Sequence, residues 1–155
     1  MILEKVLVLL EGCDFTVVQH PPTRTSEESA SARGEELKIG GKALVLKLNN
    51  EYGIFVLSAD HTIDNKRLKE ELGIKKIRFA SVEELLQLTG LPPGAVPPFG
   101  RPIIDLNLYV DPSILENEFI AFNAGSLTTS IKLKVEDYLK RASPVKIFSY
   151  ATKKI

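Results

Sequence analysis

One lysine in this sequence stands where a charged side chain needs an explanation. Lys42 begins the run Lys42–Leu48, which contains only lysine and apolar residues and resembles a buried strand. In a strand, Lys42 would share a face with Leu44 and Leu46. Lys47 would point to the opposite face, so one of the two ammonium groups must meet a largely apolar environment. Such a group can hold a phosphate or stabilise an oxyanion, and the alternative is a lysine that extends to solvent.

The loop 94–100, Gly-Ala-Val-Pro-Pro-Phe-Gly, is the second candidate for chemistry. Its prolines, including Pro97, fix the backbone angle φ and donate no main-chain hydrogen bond. Gly94 and Gly100 can take positive φ or allow a ligand to approach the main chain. Main-chain donors there would suit an ester carbonyl that becomes an oxyanion, whereas the alternative is a rigid turn. Phe99 would either narrow a pocket toward small substrates or pack in the core.

A third segment of small residues, Asn123-Ala124-Gly125-Ser126, could form a second wall of the same site. Gly125 would let a ligand approach the main chain, and Ser126 would bind that ligand or orient water. An ordinary β-turn is the alternative, because Asn and Gly favour turns. We do not assign Ser126 as a nucleophile, since no histidine or lysine is recognisably paired with it as a base.

The sequence has two histidines, His20 and His61. His20 precedes two prolines and could line a pocket or donate a ring proton to a nearby carbonyl. His61 follows Asp60, but two histidines with scattered acids lack the spacing of metal ligands, so we expect no metal and no cofactor. Asp105 interrupts an apolar stretch and could be an inward acid.

In their order and spacing, these segments resemble the YbaK/prolyl-tRNA-synthetase-associated family, which hydrolyses mischarged aminoacyl-tRNA. The resemblance covers nearly the whole chain. It begins at His20 and Thr25–Ala30, continues through Lys42 and the loop 94–100, and closes with Phe122–Ser126.

The resemblance implies a trans-editing hydrolase that cleaves the ester between a wrong amino acid and the 3′-terminal ribose of tRNA. Its typical targets are cysteine or alanine on the tRNA for proline, and the substrate itself assists the reaction. The implied partners are the aminoacyl-tRNA 3′ end and, further, prolyl-tRNA synthetase. The implied catalytic residues are Lys42 and Gly100, and the implied substrate-binding residues are His20, Thr25, Gly94, Pro97, Phe99, Asn123, Gly125 and Ser126. The alternative function is a noncatalytic module that binds an aminoacyl-tRNA end or a nucleotide, or that docks on the synthetase.

Composition limits the remaining possibilities. The 155 residues suit one domain, 1–155, with 44% hydrophobic residues. With 20 basic and 20 acidic residues, the net charge of zero argues against strong nonspecific binding to nucleic acid, and we do not expect DNA as a partner. The single cysteine, Cys13, excludes an internal disulfide. The apolar stretch to Leu10 is too short to span a membrane and has early charges, so we expect a cytoplasmic protein.

Hydrophobic periodicity and capping residues place the elements that must position these side chains. Thr25 and Glu28 form a capping box, which predicts a helix start beside the site, and Ser81 and Glu84 form a second capping box before another helix. Helices are predicted over 2–10, 25–34, 64–72, 81–88 and 135–141, and strands over 15–20, 42–48, 54–59, 76–80, 103–110, 119–122, 129–133 and 145–150, with a turn at 49–53 and a helical turn after Asp111. This order predicts a single α+β domain with a mixed, mostly antiparallel sheet. The family resemblance sharpens it to a curved central sheet surrounded by helices.

Six cations between residues 66 and 78 form a basic cluster that could touch a tRNA acceptor stem. Glu70 and Glu71 are interleaved with them, so a solvated helix face is the alternative. The six are Lys66, Arg67, Lys69, Lys75, Lys76 and Arg78.

Overall fold

The structure, a computed structural model, describes residues 1–154. Its helices are α1 (Ile2–Leu9), α2 (Ser26–Arg33), α3 (Asn65–Leu72), α4 (Val82–Thr89) and α5 (Val135–Ala142), with short 3₁₀ helices at Leu37–Ile39 and Pro112–Glu116. Its strands are β1 (Phe15–Gln19), β2 (Gly41–Leu48), β3 (Glu51–Ser58), β4 (His61–Ile63), β5 (Ile77–Phe79), β6 (Asn107–Val110), β7 (Phe119–Asn123), β8 (Thr129–Lys134), β9 (Lys146–Ile147) and β10 (Ala151–Lys153).

The strands form a mixed, mostly antiparallel arrangement, as predicted. The largest sheet has five strands in the order β5-β2-β3-β6-β9, in which β2 and β3 pair antiparallel and β3, β6 and β9 run parallel. A three-stranded antiparallel sheet has the order β1-β8-β7, and β10 pairs with β4. A single parallel bridge between Gly40 and Ala121 brings β2 beside β7. The site lies at this junction.

Two apolar clusters pack on the two faces of β2 and β3. The larger contains Val45, Ile54 and Val56 and joins them to α1, α5, β7 and β8. The smaller contains Leu46 and Phe55 together with side chains of α3 and the C-terminal segment. Each fully buried side chain of this size contributes about 1.5–3 kcal/mol to stability. Because apolar contacts hold β2 on both faces, its first residues have a fixed position.

The capping boxes predicted from sequence are confirmed. The Glu28 amide donates to Thr25 Oγ1 over 3.1 Å, and the Glu28 carboxylate accepts from the Thr25 amide at the same distance. Gly34 ends α2 in the left-handed conformation. Ser81 and Glu84 make the same reciprocal contact at the start of α4. These caps fix the entry of α2, which lies at the site.

Three predicted boundaries are wrong. The β2–β3 turn contains only residues 49–50, since the strand pairing extends to Leu48 and Glu51. The strand predicted over 103–110 begins only at Asn107, because the preceding amides at 103 and 104 donate to the Gly100 carbonyl. The strand predicted over 145–150 is reduced to β9 at residues 146 and 147, and β10 begins at Ala151, outside the predicted range.

Within residues 1–154, no helix is both long and apolar enough to cross a membrane.

Candidate active site

A cavity of about 290 Å³ opens where β2, β7, α2 and the glycine-proline loop meet. Its walls combine main chain from the start of β2 with hydroxyl, amide and cationic side chains. The lining residues are Arg24, Thr25, Ser26, Ser29, Arg33, Gly40, Gly41, Lys42, Ala43, Leu44, Ala59, Pro93, Gly94, Val96, Ala121, Phe122 and Asn123. Four of the ten predicted site residues are therefore in the wall: Thr25, Lys42, Gly94 and Asn123.

Lys42 is half-buried at the start of β2, directly opposite Leu57 in the β2–β3 ladder. Burial is the main reason that its pKa is lowered to about 8, and the nearby ammonium of Lys154 lowers the pKa further. The carboxylates of Glu27 and Asp60 act in the opposite direction. Near pH 7 the Lys42 side chain is therefore mainly a cation, but one that incomplete solvation leaves available to an anion.

Asn123 ties the glycine-proline loop to the wall formed by β7. Its side-chain amide donates to the Gly94 carbonyl over 2.8 Å, while its Oδ1 accepts from Ser130 Oγ over 3.0 Å. Gly94 has φ +89°, and an added Cβ would lie 2.9 Å from the Arg24 carbonyl oxygen. This position thus requires glycine both for its conformation and for its close contact with the α2 entry.

His20 lies behind the wall and does not line the cavity. Its Nε2 is 2.8 Å from Ser130 Oγ, and its Nδ1 is 2.9 Å from the Pro21 carbonyl oxygen. Ser130 in turn donates to Asn123. His20 therefore contacts the cavity through two intermediate side chains, which corresponds to the structural role that the sequence left open as an alternative.

Sequence reasoning did not select Arg33, although it lines the cavity. Its side chain is only 3% exposed, and its Nη1 donates to Ser130 Oγ over 3.1 Å. Burial lowers the pKa of its guanidinium, and Glu35, at 3.4 Å, partly compensates. From sequence, Arg33 is an ordinary cation in the last turn of a helix. Only the packing of α2 against β8 reveals that it is buried.

Lys154 is a second cation that sequence reasoning did not connect with the site. Its amide donates to the Asp60 carbonyl over 2.8 Å, which brings the C-terminal segment beside β2. Its ammonium is 3.8 Å from Glu27, in the first turn of α2, and lies close enough to Lys42 to lower the pKa of that lysine. No sequence motif indicates this contact, because 112 residues separate the two lysines.

The second half of the glycine-proline loop does not reach the cavity. Phe99 is buried and makes edge-to-face contacts with Phe122 and Tyr138, so it packs in the core, one of its two predicted roles. Gly100 lies against β6, where an added Cβ would be 2.6 Å from the Leu106 carbonyl oxygen. Pro97 is also buried outside the lining.

Of the five main-chain amides in the loop 94–100, those of Ala95 and Phe99 have nearby main-chain acceptors, whereas those of Gly94, Val96 and Gly100 have none among residues 1–154. The Ala95 amide donates to the Pro92 carbonyl over 3.2 Å, and the Phe99 amide donates to the Pro97 carbonyl over 2.8 Å. Neither is free to stabilise an oxyanion. The catalytic role predicted for Gly100 remains a prediction, and its position gives it a packing role.

The turn after β7 likewise points away from the cavity. Gly125 has φ +79° and contacts Ile2 of α1, and its amide donates to the Ala95 carbonyl over 2.9 Å. Ser126 Oγ accepts from the Thr128 amide over 3.1 Å. These contacts are those of a turn that supports the loop from behind.

The expectation that Asp105 is an inward acid is wrong. Its side chain is 93% exposed and accepts from Arg101 over 2.6 Å, because residues 101–105 form a surface turn instead of a strand. His61 Nδ1 contacts the Asp60 carboxylate at 2.6 Å. Within residues 1–154, no group of three or more His, Cys, Asp or Glu side chains could hold a metal ion.

The chain is similar in sequence and in fold to known proteins. The family model described as the aminoacyl-tRNA editing domain matches residues 20–141. The Multifunctional Ser/Thr-tRNA deacylase ProXp-y of Escherichia coli K12 is 39% identical over 149 residues, which cover 91% of this chain and 88% of that protein. A proline–tRNA ligase of Shouchella clausii is 33% identical over 105 residues, which cover 68% of this chain and 18% of the ligase. A solved structure described as a candidate trans-editing enzyme for prolyl-tRNA synthetase has a TM-score of 0.81 at 25% identity, with 98% of this chain and 97% of that chain covered.

Proposed function

This chain belongs to the aminoacyl-tRNA editing domain family, and from that premise we propose that it is a hydrolase of the aminoacyl-tRNA ester bond. It would act in trans, removing a wrongly attached amino acid from the 3′-terminal ribose. An editing step of this kind is needed because a synthetase pocket rejects a near-isosteric amino acid poorly, by roughly 10–200-fold per methylene.

The observation that carries the proposal is the half-buried ammonium of Lys42 in the wall of a polar cavity. A fixed cation in a partly desolvated site stabilises negative charge more strongly than one in water, and its position costs no reorganisation during the reaction. The charge that develops on an ester carbonyl under attack by water is such a charge. Lys42 would stabilise that oxyanion or hold the terminal phosphate close to it.

The lining contains no Cys, His, Asp or Glu side chain, so the wall offers no carboxylate or imidazole as a general base. This supports catalysis in which the substrate assists, with a ribose hydroxyl orienting or activating the water. The protein would then contribute position and electrostatic stabilisation. The same absence supports the second candidate function, a module that binds the aminoacyl-tRNA end without hydrolysing it.

Two features bear on the amino acid that is removed. The relative from E. coli is a Ser/Thr-tRNA deacylase by name. In this chain, Thr25, Ser26, Ser29 and Asn123 line the cavity. The side chains of Thr25, Ser29 and Asn123 are hydrogen-bonded within the protein, whereas the Ser26 hydroxyl has no such partner among residues 1–154 and can pair with a substrate hydroxyl. We therefore propose serine and threonine as the first candidates, ahead of the cysteine and alanine that the family resemblance suggested for tRNA for proline.

Single-turnover deacylation of a panel of aminoacyl-tRNAs tests this function. The panel pairs seryl-, threonyl-, cysteinyl- and alanyl-tRNA with correctly charged prolyl-tRNA as the control. We expect enzyme-dependent release of at least one mischarged amino acid and no release of proline. Tight binding without release of any amino acid would instead support the binding module. Repeating the assay with prolyl-tRNA synthetase added tests whether the synthetase is a partner. The deacylation rate should rise only if the two proteins cooperate.

A further inference from the structure

A second concave site lies at the far end of β2. The cleft has a volume of about 480 Å³ and is formed by the β2–β3 turn, α3 and β5. Its lining residues are Lys47, Asn49, Asn50, Lys69, Lys75, Lys76, Ile77 and Arg78. Five of the 20 cations in a chain of zero net charge therefore surround one cleft, and no acidic residue lines it.

Most of these cations lack a carboxylate partner. Arg78 pairs with Glu84 at 2.6 Å, but within residues 1–154 none of the four cleft lysines has a carboxylate oxygen within 4.0 Å. Of the basic cluster seen in the sequence, Lys66 and Arg67 lie outside the cleft lining. Glu70 and Glu71 also lie outside it, so the solvated helix face and the cationic cleft are separate surfaces.

The cleft has a fixed shape. The Asn49 amide donates to the Lys76 carbonyl over 2.9 Å, and the Lys76 amide donates to Asn49 Oδ1 over 3.1 Å. These reciprocal bonds hold the β2–β3 turn against the entry of β5. The lysines thus extend from a braced backbone, and a ligand need not order the main chain when it binds.

Because β2 is extended, Lys42 and Lys47 are separated by about 17 Å along the strand. Stacked nucleotides rise about 3.4 Å per step, so this span corresponds to on the order of five nucleotides. The side chains of Lys42 and Lys47 leave opposite faces of β2, so a tRNA with its terminal ribose at Lys42 would bring the phosphates near the start of its acceptor duplex to the cleft by passing the β5 edge of the sheet. The cleft presents lysine ammonium groups and asparagine side-chain amides. Such groups bind phosphate oxygens and do not discriminate between bases.

We propose that this cleft binds the phosphate backbone of the acceptor arm of the same RNA whose aminoacylated end enters the first cavity. The inference rests on the proposed function for its choice of RNA. The favoured occupant is RNA because the lining offers cations and amides with a single apolar side chain, Ile77, whereas protein interfaces need a larger apolar centre.

The test compares K69E/K76E with the control K5E/K134E, which changes the charge equally at exposed residues outside the cleft. Binding of uncharged tRNA is measured as a function of salt, which requires no chemistry. We expect the cleft variant to bind about tenfold more weakly at low salt and to lose about two units of the slope of log K against log salt. K69R/K76R should bind like wild type, and circular dichroism checks that each variant is folded.

Deacylation then separates this inference from the proposed function. On full-length aminoacyl-tRNA, the cleft variant should show a raised KM with an unchanged kcat. On an aminoacylated CCA trinucleotide, which is too short to reach the cleft, it should match wild type. The inference would be overturned if the cleft and control variants had equal tRNA affinity and equal salt slope. It would also be overturned if the cleft bound an acidic protein but no tRNA. A wild-type protein that binds tRNA through the cleft but releases no amino acid would refute only the hydrolase.

Discussion

The side-chain amide of Asn123 donates a 2.8 Å hydrogen bond to the main-chain carbonyl of Gly94, which joins the glycine-proline loop to β7 across the cavity. This bond fixes the position of the loop, whose residues Gly94 and Val96 line the cavity. Substitutions at either end of the bond should therefore affect the site as well as the fold.

Asn123→Asp should impair both stability and activity. The substitution replaces the donor that faces the Gly94 carbonyl with a carboxylate oxygen on a buried side chain, and that oxygen repels the carbonyl. We expect a loss of about 1–3 kcal/mol in the free energy of unfolding, measured with urea, and a lower kcat/KM. The matched control is Asn65→Ala at an exposed position of α3, for which a change within about 0.5 kcal/mol is expected. Unaltered stability of the Asn123→Asp variant would contradict the contact.

Gly94→Ala should be more disruptive than Gly73→Ala. Both glycines have positive φ, so each substitution costs about 1–2 kcal/mol in backbone conformation. An added Cβ at Gly73 meets nothing within 4 Å, whereas at Gly94 it would lie 2.9 Å from the Arg24 carbonyl oxygen. We therefore expect a larger fall in melting temperature for Gly94→Ala, together with a loss of deacylation that Gly73→Ala does not show. Equal effects would mean that the contact with Arg24 is unimportant.

Gly100→Ala distinguishes a catalytic role from a packing role at that residue. An added Cβ would be 2.6 Å from the Leu106 carbonyl oxygen, so β6 or the loop must shift. We expect lower stability to urea, with kcat at a temperature where the variant is fully folded within about twofold of wild type. A folded, equally stable variant that had lost its activity would support the catalytic role predicted from the family resemblance.

The pH dependence of hydrolysis should follow the Lys42 ammonium. Its pKa is lowered to about 8, so the cation is present below that pH and is lost as the pH rises through it. We expect the enzyme-dependent rate, after subtraction of spontaneous ester hydrolysis, to fall above pH about 8. Removal of the neighbouring charge in Lys154→Gln raises the Lys42 pKa and should move this descending limb to higher pH. A rate that instead rises through pH 8 would indicate a neutral Lys42 acting as a base.

The parts of the fold that depend on residues close together in the sequence could be predicted from the sequence. The capping boxes at Thr25 and Ser81 and the apolar run after Lys42 each set a local structure, and all three were confirmed. The extent of the strand before Val110 was predicted wrongly. There the turn at Gly100 takes the amides that a longer strand would have used, and hydrophobic pattern alone does not reveal that competition.

The composition of the cavity could be predicted only in part. Gly94 and Gly100 flank the same prolines and look equivalent in sequence, yet only Gly94 lines the cavity, because the loop turns into the core after Val96. Arg33 and Lys154 approach the cavity through pairings between distant segments. Such contacts depend on how α2 and the C-terminal segment pack, which a single sequence does not encode in a local pattern.

The most direct test of the central claim is single-turnover deacylation of mischarged tRNA by Lys42→Ala beside wild type, with Lys140→Ala on the exposed face of α5 as the control. The enzyme is used at saturating concentration, so that weaker binding does not affect the rate. We predict that Lys42→Ala slows hydrolysis by roughly 100-fold or more, as expected for loss of a group that stabilises an oxyanion, and that Lys140→Ala has no effect. Equal rates for Lys42→Ala and wild type would contradict the claim that Lys42 carries the chemistry.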